Sequence, residues 1–383
     1  MSAAERADYL VIGAGIAGAS IAYWLAPHGS VLLLERESQP GYHSTGRSAA
    51  LYMESYGPPQ VRALTCASRA FFDHPPEGFA EHPLLTPRGA LFYAGAALRA
   101  ELDAHEALVR SVSDKVQRLD REQTLAMVPV LRGEDLIGAV YEEDAADIDV
   151  HALHQGFLRG ARAAGARLLC DAEVQTIVRD DGAGEWQVGT SQGSLRAGVI
   201  INAAGAWADQ IGSLAGAARI GLQPCRRSAF TFAAPPDSAH WPMFMPVDQA
   251  FYIKPDAGLL LGSPANADPV PPQDVQAEEL DIAIAIDHIQ TGTTLDIRRP
   301  AHVWAGLRSF VEDGSFVGGY DVQVPGFFWA AGQGGYGIQS APAAGEAYAA
   351  LVRGQAIPEH IGRFGVQAEA LSPARIAGVG SQP

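Results

Sequence analysis

The stretch from Tyr9 to Arg36 reads YLVIGAGIAGASIAYWLAPHGSVLLLER. It begins with four consecutive apolar residues, the pattern of a strand that is buried on both faces. A glycine-rich turn follows, and then small and helix-forming residues from Ile16 to Ala26 place apolar side chains on roughly one face. After Gly29 a second apolar run leads to Glu35. The pattern therefore predicts a strand–helix–strand unit.

Three glycines in this stretch, Gly13, Gly15 and Gly18, have the spacing G-x-G-x-x-G. Gly13 would permit the tight turn, Gly15 would let the backbone approach a pyrophosphate, and Gly18 would let the helix pack closely on the strand. The start of a helix favours phosphate groups. Glu35 is placed to accept hydrogen bonds from a ribose, which disfavours the 2′-phosphate of NADP. This context favours a dinucleotide site over a buried or membrane-spanning helix.

Length and composition limit the other possibilities. The chain has 383 residues and a formal net charge of −16, with 48% hydrophobic residues. This length predicts two or three domains, and the negative charge disfavours binding to nucleic acid or anionic lipid. Cys66, Cys170 and Cys225 form no C-x-x-C pair, and the histidines show no metal-ligand spacing. We therefore expect a cytoplasmic protein with no metal site, no secretory signal and no transmembrane segment, and a monomer by default.

Three further segments contain small residues near predicted helix starts. In GYHSTGRSAA (41–50), Ser44, Thr45, Arg47 and Ser48 could contact a second part of a cofactor, although a helix cap on a surface loop is an alternative. INAAGAWAD (201–209) joins a strand to a turn of small residues. FFWAAGQGGYGIQSAPAAGE (327–346) joins a strand to a glycine-rich turn and an alanine-rich helix. That second helix start would suit another polar part of a large cofactor.

The middle of the chain is predicted to be rich in short strands. KPDAG (254–258) separates two apolar runs and predicts a hairpin, and DVQAEELDIAIAIDHIQ (274–290) predicts an amphipathic helix. Arg227 and Arg308 lie in strand-like apolar stretches, where an unpaired charge is costly. A guanidinium can bind a carboxylate with two hydrogen bonds. Tyr252, in AFYIKP (250–255), could donate a hydroxyl beside the two arginines. A surface ion pair is the alternative for each arginine, and a core position is the alternative for Tyr252.

Together these motifs resemble those of the FAD-dependent D-amino acid oxidase/dehydrogenase superfamily, and among its members those of the bacterial D-arginine dehydrogenases. The resemblance covers nearly the whole chain. It implies an α/β protein with a Rossmann-type FAD-binding domain and an α+β substrate domain with a mostly antiparallel sheet, as in D-amino acid oxidase. The FAD-binding domain is predicted to comprise residues 1–86, 145–215 and 318–372. The substrate domain would comprise residues 87–144 and 216–317. Residues 373–383 would form a C-terminal tail.

The resemblance also implies a set of residues that bind FAD without a covalent bond. They are Gly13, Ala14, Gly15, Ile16, Ala17, Gly18, Glu35, Arg36, Ser44, Thr45, Arg47, Ser48, Ala49, Ala50, Leu51, Val174, Ala204, Gly205, Trp207, Gly306, Arg308, Gly334, Gly335, Tyr336, Gly337, Ile338 and Gln339. Cys225 does not match the covalent attachment site of the related sarcosine oxidases.

By the same resemblance, five residues are expected to act on a small amino acid substrate. Arg227, Tyr252, Arg308 and Tyr56 would contact its carboxylate, with Tyr56 as a lid, and the carbonyl of Gly306 would receive its amine. A hydride would then pass from Cα to flavin N5, and the imino acid would hydrolyse to a 2-oxo acid and ammonia. The electrons would pass on to a quinone, another carrier or O₂.

Two positions depart from the D-arginine dehydrogenase pattern. Ala90 stands where that group has a glutamate for the substrate guanidinium, and Leu51 stands in place of a histidine. Both changes make the side-chain pocket more apolar, so we predict D-amino acids with neutral or hydrophobic side chains as substrates. The alternatives are an amine, glycine or sarcosine-type oxidase and a 2-hydroxy acid dehydrogenase of the L-2-hydroxyglutarate type.

Overall fold

A computed structural model describes residues 5–180, 182 and 184–376 of the chain. These residues form twenty strands. In chain order they are β1 (Glu5–Ile12), β2 (Val31–Leu34), β3 (Leu51–Tyr52), β4 (Leu85–Pro87), β5 (Ala90–Gly95), β6 (Val116–Leu119), β7 (Leu136–Glu142), β8 (Ala146–Ile148), β9 (Arg167–Leu169), β10 (Val174–Asp180), β11 (Glu185–Thr190), β12 (Gly193–Asn202), β13 (Gln223–Ala233), β14 (Met243–Pro246), β15 (Tyr252–Asp256), β16 (Leu259–Ser263), β17 (Asp268–Pro269), β18 (His302–Phe310), β19 (Val317–Tyr320) and β20 (Phe327–Ala331).

Ten α-helices connect these strands within the same residues. They are α1 (Ile16–Leu25), α2 (Pro59–Asp73), α3 (Arg99–Arg110), α4 (Arg121–Met127), α5 (Val150–Ala163), α6 (Ala208–Leu214), α7 (Glu279–Gly292), α8 (Gly337–Val352), α9 (Glu359–Gly362) and α10 (Ala368–Leu371). None of the helices that the structure describes has both the length and the apolar character needed to cross a lipid bilayer.

The first large sheet is built around the predicted strand–helix–strand unit. Its order is β10-β11-β12-β1-β2-β9, and β20 pairs with β12 and β19. The pairs β12–β1, β1–β2, β2–β9 and β12–β20 are parallel, so several strands end at the same edge. Helix α1 packs against α5 and α8 on one face of this sheet. Ligands in open parallel sheets bind at the carboxyl edge of the strands.

The second large sheet has the order β17-β13-β16-β15-β14-β5-β7-β6, and β18 also pairs with β13. All its pairs are antiparallel except β14–β5. A three-stranded sheet, β3-β8-β4, completes the fold. The α/β fold class with a mostly antiparallel second sheet is therefore confirmed.

Two local predictions need adjustment. The hairpin turn consists of Ala257 and Gly258 alone, which both have positive φ, while Pro255 and Asp256 belong to β15. This matches a two-residue turn that follows the strand twist. Helix α7 begins at Glu279, five residues after Asp274, where the predicted helix starts. The acidic side chains of Asp274 and Glu278 instead bind Arg47 and Arg226.

The strands of the two large sheets alternate along the chain in blocks. Those of the first sheet lie in residues 5–34, 167–202 and 317–331, and those of the second in 90–142 and 223–310. This distribution supports the division into two domains, which we retain as a proposal. Part of the predicted tail packs on the body, since Arg375 forms an ion pair of 2.7 Å with Asp313. Residues 377–383 of the tail lie outside the described residues.

Candidate active site

A cavity of about 450 Å³ lies between the carboxyl edge of the first sheet and one face of the second. The first sheet contributes Ile12 at the end of β1, Leu34 at the end of β2 and Ala331 at the end of β20. The second sheet contributes residues of β13, β15 and β18. The cavity therefore lies where parallel strands typically present a ligand site.

The turn between β1 and α1 is shaped by glycines. Gly13 has φ of 101° and donates its N–H to the carbonyl of Leu34 at 2.8 Å. A Cβ on Gly18 would overlap the carbonyl oxygen of Gly13, so only glycine allows α1 to approach β1 this closely. The hydroxyl of Thr45 accepts the N–H of Ile16 at 3.0 Å. This turn brings the start of α1 to the cavity wall.

Glu35 closes the next strand at the same wall. Its Oε2 accepts the N–H of Ala14 at 3.2 Å, and its Oε1 accepts the N–H of Glu37 at 3.1 Å. Burial raises the pKa of this carboxyl despite these hydrogen bonds. A carboxylate can accept about four hydrogen bonds, so Glu35 retains capacity for hydroxyl groups in the cavity.

The segment from Ser44 to Ser48 forms hydrogen bonds with the second sheet and with the loop before α7. The Ser44 hydroxyl donates to the carbonyl of Leu307 at 2.7 Å, and Arg47 donates to the carbonyls of Val275 and Ala305 at 3.0 and 3.2 Å. Arg47 also forms an ion pair with Asp274. These side chains line the cavity, but their polar ends bind the protein itself. No described helix begins at Ser44 or Ser48, since the next helix after β2 is α2, so the helix-cap alternative is wrong.

Two arginines occupy neighbouring positions on the second sheet. In the antiparallel pair of β13 and β18, Arg227 lies opposite Gly306 and Cys225 lies opposite Arg308. Residues two apart on a strand share a face, so Arg227, Gly306 and Arg308 lie on one face. All three line the cavity, as does Tyr252 on β15.

The partners of both guanidinium groups are neutral. Nη1 of Arg308 donates to the hydroxyl of Tyr56 at 3.1 Å, and Nε of Arg227 donates to the backbone carbonyl of Asn266. Within residues 5–180, 182 and 184–376, no aspartate or glutamate forms an ion pair with either arginine. Unpaired charges in a partly buried site are costly, which indicates a site for an anionic group.

Burial and the neighbouring charged groups shift the pKa values of Arg227, Arg308 and Tyr56. Burial lowers the pKa of Arg227, and the charge of Arg308 adds to this effect, so the value falls to about 10. Burial would also lower the pKa of Arg308, but the phenols of Tyr56 and Tyr252 outweigh it, and that pKa is raised. Burial raises the pKa of Tyr56, but Arg308 and Arg227 outweigh burial and bring it below its usual value. Both arginines therefore remain protonated at neutral pH.

The chain is similar in sequence to a known protein family. Residues 8–351 match the DAO family, which is described as FAD dependent oxidoreductase. The chain belongs to this family. It is therefore an FAD-dependent oxidoreductase, and the predicted cofactor class is confirmed.

Individual relatives cover different shares of the chain. Glycine oxidase of Geobacillus kaustophilus is 27% identical over 385 residues, which cover 95% of this chain and all of that protein. Its crystal structure superposes with a TM-score of 0.80 at 23% identity, over 93% of this chain and 99% of that chain. Human mitochondrial dimethylglycine dehydrogenase is 30% identical over 216 residues, or 55% of this chain, and the match spans only 25% of that protein. The structure of L-proline dehydrogenase from P. horikoshii has a TM-score of 0.80 and 22% identity, over 97% of this chain and 98% of that chain.

The residues of the cavity wall fit FAD. A Cβ on Gly13 or Gly18 would overlap backbone oxygen atoms, so these glycines allow the close turn at the start of α1, and Glu35 offers a carboxylate at the end of β2. A second glycine-rich turn, Gly332–Gly335, precedes α8 on the other side of the cavity. The two helix starts provide N–H groups for anionic or polar parts of one long ligand. The guanidinium of Arg36 stacks 4.3 Å from the ring of Trp207 on the same wall.

Most of the predicted FAD-binding residues lie along this cavity. They are Gly13, Gly15, Ile16, Ala17, Glu35, Arg36, Ser44, Thr45, Arg47, Ser48, Ala49, Val174, Ala204, Gly205, Trp207, Gly306, Arg308, Gly334, Gly335, Gly337 and Ile338. Their contact with the cofactor stays a prediction. Cys225 does not line the cavity, and its thiol lies 3.8 Å from the carbonyl oxygen of Gln223.

Other predicted residues lie outside the lining. They are Ala14, Gly18, Ala50, Leu51, Tyr56, Ala90, Tyr336 and Gln339. Gln339 is buried and binds the N–H of Met53 and the hydroxyl of Thr65, so its side chain holds α8 to its neighbours. The ring of Tyr336 lies 4.8 Å from that of Tyr56, beside the arginines, rather than along the cavity.

Leu51 and Ala90 belong to an apolar group beside the arginines, which we call the methionine cluster. It consists of Met53, Ala90, Phe92, Ala145, Met243 and Met245, with Leu51, Tyr56 and Tyr252 packed against it. Because Tyr56 and Tyr252 contact both this cluster and the arginine site, the two are adjacent. No group of three or more metal-ligating side chains occurs in the described part of the chain.

Proposed function

We propose that this oxidoreductase oxidises a D-amino acid with a neutral or apolar side chain at its Cα–N bond. The observation that carries this proposal is the pair Arg227 and Arg308, two protonated groups without carboxylate partners in the described residues, at the wall of the cavity that is predicted to bind FAD. A substrate carboxylate would supply the missing negative charge. A bidentate guanidinium contact would also fix the orientation of the substrate.

The four polar side chains of the site have distinct roles in this proposal. Arg227 and Arg308 bind the carboxylate, while the phenols of Tyr252 and Tyr56 donate hydrogen bonds to it. Tyr56 can do so because its oxygen accepts a hydrogen bond from Arg308 at 3.1 Å and leaves its own proton available. This arrangement would hold the substrate Cα at one position in the cavity, and such positioning is the main catalytic contribution of the site.

The amine of the substrate would be received by the backbone carbonyl of Gly306, the residue that lies opposite Arg227 and two positions before Arg308. The substrate nitrogen must be neutral before Cα is oxidised, and a carbonyl acceptor orients an N–H without competing for the electron pair. FAD, when bound, accepts the two electrons and the hydrogen of Cα. The substrate thereby loses a hydride from Cα and a proton from nitrogen, and water converts the imino acid to a 2-oxo acid and ammonia.

The methionine cluster supports an apolar side chain on the substrate. It is buried and its polar groups are few, and Ala90 has no exposed surface. A cationic side chain placed against the cluster would lose its hydration, and the carboxylate of Glu142, which lies opposite Ala90, already accepts the Ser55 hydroxyl at 2.7 Å. Methionine side chains adapt to irregular apolar shapes, so several apolar or neutral substrates are expected to be accepted.

A second candidate is oxidation of glycine or an N-methylated amino acid. It is favoured by the match of glycine oxidase over 95% of this chain and by the match of dimethylglycine dehydrogenase over 55%. These substrates also have a carboxylate for the two arginines but make little use of the methionine cluster. The side chain on Cα therefore discriminates between the candidates.

The test is anaerobic bleaching of the FAD-loaded enzyme by matched substrates. We expect D-leucine, D-methionine and D-phenylalanine to bleach the flavin faster than D-arginine, L-leucine, glycine or sarcosine. Faster bleaching by D-arginine would refute the apolar preference, and faster bleaching by glycine or sarcosine would favour the second candidate. Bleaching by a 2-hydroxy acid alone would refute both. Reoxidation by O₂, compared with a quinone, then identifies the electron acceptor.

A further inference from the structure

We propose that Asn266 is a positioning residue for Arg227 and that Asp281 holds Asn266 in place. This inference rests on the proposed function, since it takes Arg227 as a partner of the substrate carboxylate. It concerns side chains behind the second sheet that do not line the cavity. They control where the guanidinium of Arg227 lies.

Arg227 is held at its inner nitrogen. Its Nε donates to the backbone carbonyl of Asn266, in the segment that follows β16. A guanidinium is planar and its five N–H groups have a fixed arrangement. When Nε is held, the plane of the group and the direction of its two terminal nitrogens are restricted. Those terminal nitrogens are the donors that a carboxylate in the cavity would use.

The side chain of Asn266 fixes the carbonyl that holds Arg227. Its Oδ1 accepts the N–H of Ser228 at 2.9 Å, which joins the segment to β13. Its Nδ2 donates to Oδ2 of Asp268 at 2.6 Å and to Oδ2 of Asp281 at 3.0 Å. An amide can accept from a backbone N–H with its oxygen and at the same time donate to two carboxylates with its NH₂ group. An aspartate at this position would be repelled by both carboxylates.

Asp281 anchors this arrangement from the opposite face of β13. It is 9% exposed and lies in the first turn of α7, where a negative charge is favourable. Besides Asn266, its carboxylate accepts hydrogen bonds from Nε of Arg226 at 2.9 Å and from the hydroxyl of Ser228 at 2.7 Å. Arg226 and Ser228 flank Arg227 along the strand, so their side chains point to the other face. The orientation of Arg227 is thus set through its own strand neighbours.

The experiment uses the FAD-loaded enzyme with two variants, Asn266→Ala and Asn266→Asp. Binding of propionate, a carboxylate without an amine, is followed by the perturbation of flavin absorption. We expect both variants to weaken propionate binding about 10-fold, the effect of one hydrogen bond to a charged group. The near-isosteric aspartate should be no better than alanine, because it lacks the donor. KM for the amino acid substrate should rise by the same factor, with a smaller change in kcat.

A double-mutant cycle separates positioning from a general structural role. In the background of Arg227→Leu, we expect Asn266→Ala to change propionate binding less than about 2-fold. Gln290→Ala is the matched control, since the Gln290 amide also accepts a backbone N–H at 2.9 Å, from Ile297, away from Arg227. It should leave propionate binding unchanged. An equal effect of Asn266→Ala in both backgrounds, or no effect in the native background, would overturn the inference.

This readout does not depend on turnover. If propionate binding depends on Arg227 and on Asn266 but no amino acid bleaches the flavin, the positioning role is supported and the proposed function is refuted. If amino acids bleach the flavin but propionate binding is insensitive to Arg227, the positioning role is refuted. The two proposals can therefore fail independently.

Discussion

Replacement of Gly335 by alanine tests the position of Arg308 directly. A Cβ on Gly335 would lie 2.6 Å from Nη1 and 2.9 Å from Cζ of Arg308, whereas ordinary contacts begin at 3.4 Å. The guanidinium must therefore move by about 0.8 Å, the difference between 3.4 and 2.6 Å. Gly335 does not have a positive φ, so alanine itself fits the backbone. The change acts on the functional group of Arg308 and leaves its charge in place.

The expected loss follows from the contacts that this shift disturbs. Nη1 donates to the hydroxyl of Tyr56 at 3.1 Å and, in the proposed complex, lies beside the substrate carboxylate. One hydrogen bond to a charged group contributes about 1.5–3 kcal/mol. We therefore expect kcat/KM to fall about 10- to 150-fold. Stability should fall by about 1 kcal/mol, the low end of the usual cost of overpacking, because the displaced atoms are the end of a flexible side chain.

The assay compares kcat/KM, FAD content and melting temperature for Gly335→Ala and the native enzyme. Gly133→Ala is the control, since its Cβ would also face an arginine, with Nη2 of Arg121 at 3.1 Å, but away from the cavity. The control should retain native kcat/KM. If Gly335→Ala binds FAD normally and keeps kcat/KM within about 2-fold of native, Arg308 does not bind the reacting substrate in the conformation described.

Three further substitutions test other parts of the site. Tyr56→Phe should raise KM about 5-fold at neutral pH; the lowered pKa of Tyr56 also means that its phenolate, which repels a carboxylate, forms below the ordinary pH of about 10. KM of the native enzyme should therefore begin to rise below the pH of about 10 at which Arg227 loses its proton, and Tyr56→Phe should move this onset to higher pH; an unchanged onset in Tyr56→Phe would contradict the assignment. Glu35→Gln should weaken FAD binding about 10-fold in a fluorescence titration, and unchanged affinity would exclude Glu35 as a ribose ligand. Gly18→Ala should destabilise the fold by about 3 kcal/mol in urea unfolding, because its Cβ would overlap the backbone of Gly13; native stability would show that α1 can move away without cost.

The first strand–helix–strand unit could be predicted because its constraints are local. Gly13 needs a positive φ, Gly18 faces the backbone of Gly13, and both requirements are visible in the spacing of the glycines. The apolar runs on either side correspond to β1 and β2, which are both interior strands of the sheet. Local patterns also predicted the hairpin of β15 and β16. Such features depend on residues that are close in sequence.

Other features depend on residues that are far apart in sequence. Ser44 and Arg47 have the residue types of cofactor ligands, yet their polar ends bind the carbonyls of Leu307 and Ala305 on the other sheet and of Val275 in the loop before α7. Asn266 carries no motif, and its relation to Arg227 follows only from the path of the chain after β16. Nothing in the sequence around Ser44, Arg47 or Asn266 indicates these distant partners. Local sequence patterns contain no information about which residues more than thirty positions apart come into contact.

In the proposed function, different strands recognise the carboxylate and the side chain of the substrate. Arg227, Gly306 and Arg308 come from β13 and β18, whereas Ala90, Phe92, Met243 and Met245 of the methionine cluster come from β5 and β14. Strands β16 and β15 lie between these two pairs, and Tyr252 of β15 contacts the cluster from the cavity side. Substitutions in the cluster can therefore alter the preferred side chain while the arginines keep their register. On this reasoning, differences in substrate among related chains should arise mainly in β5 and β14, with β13 and β18 unchanged.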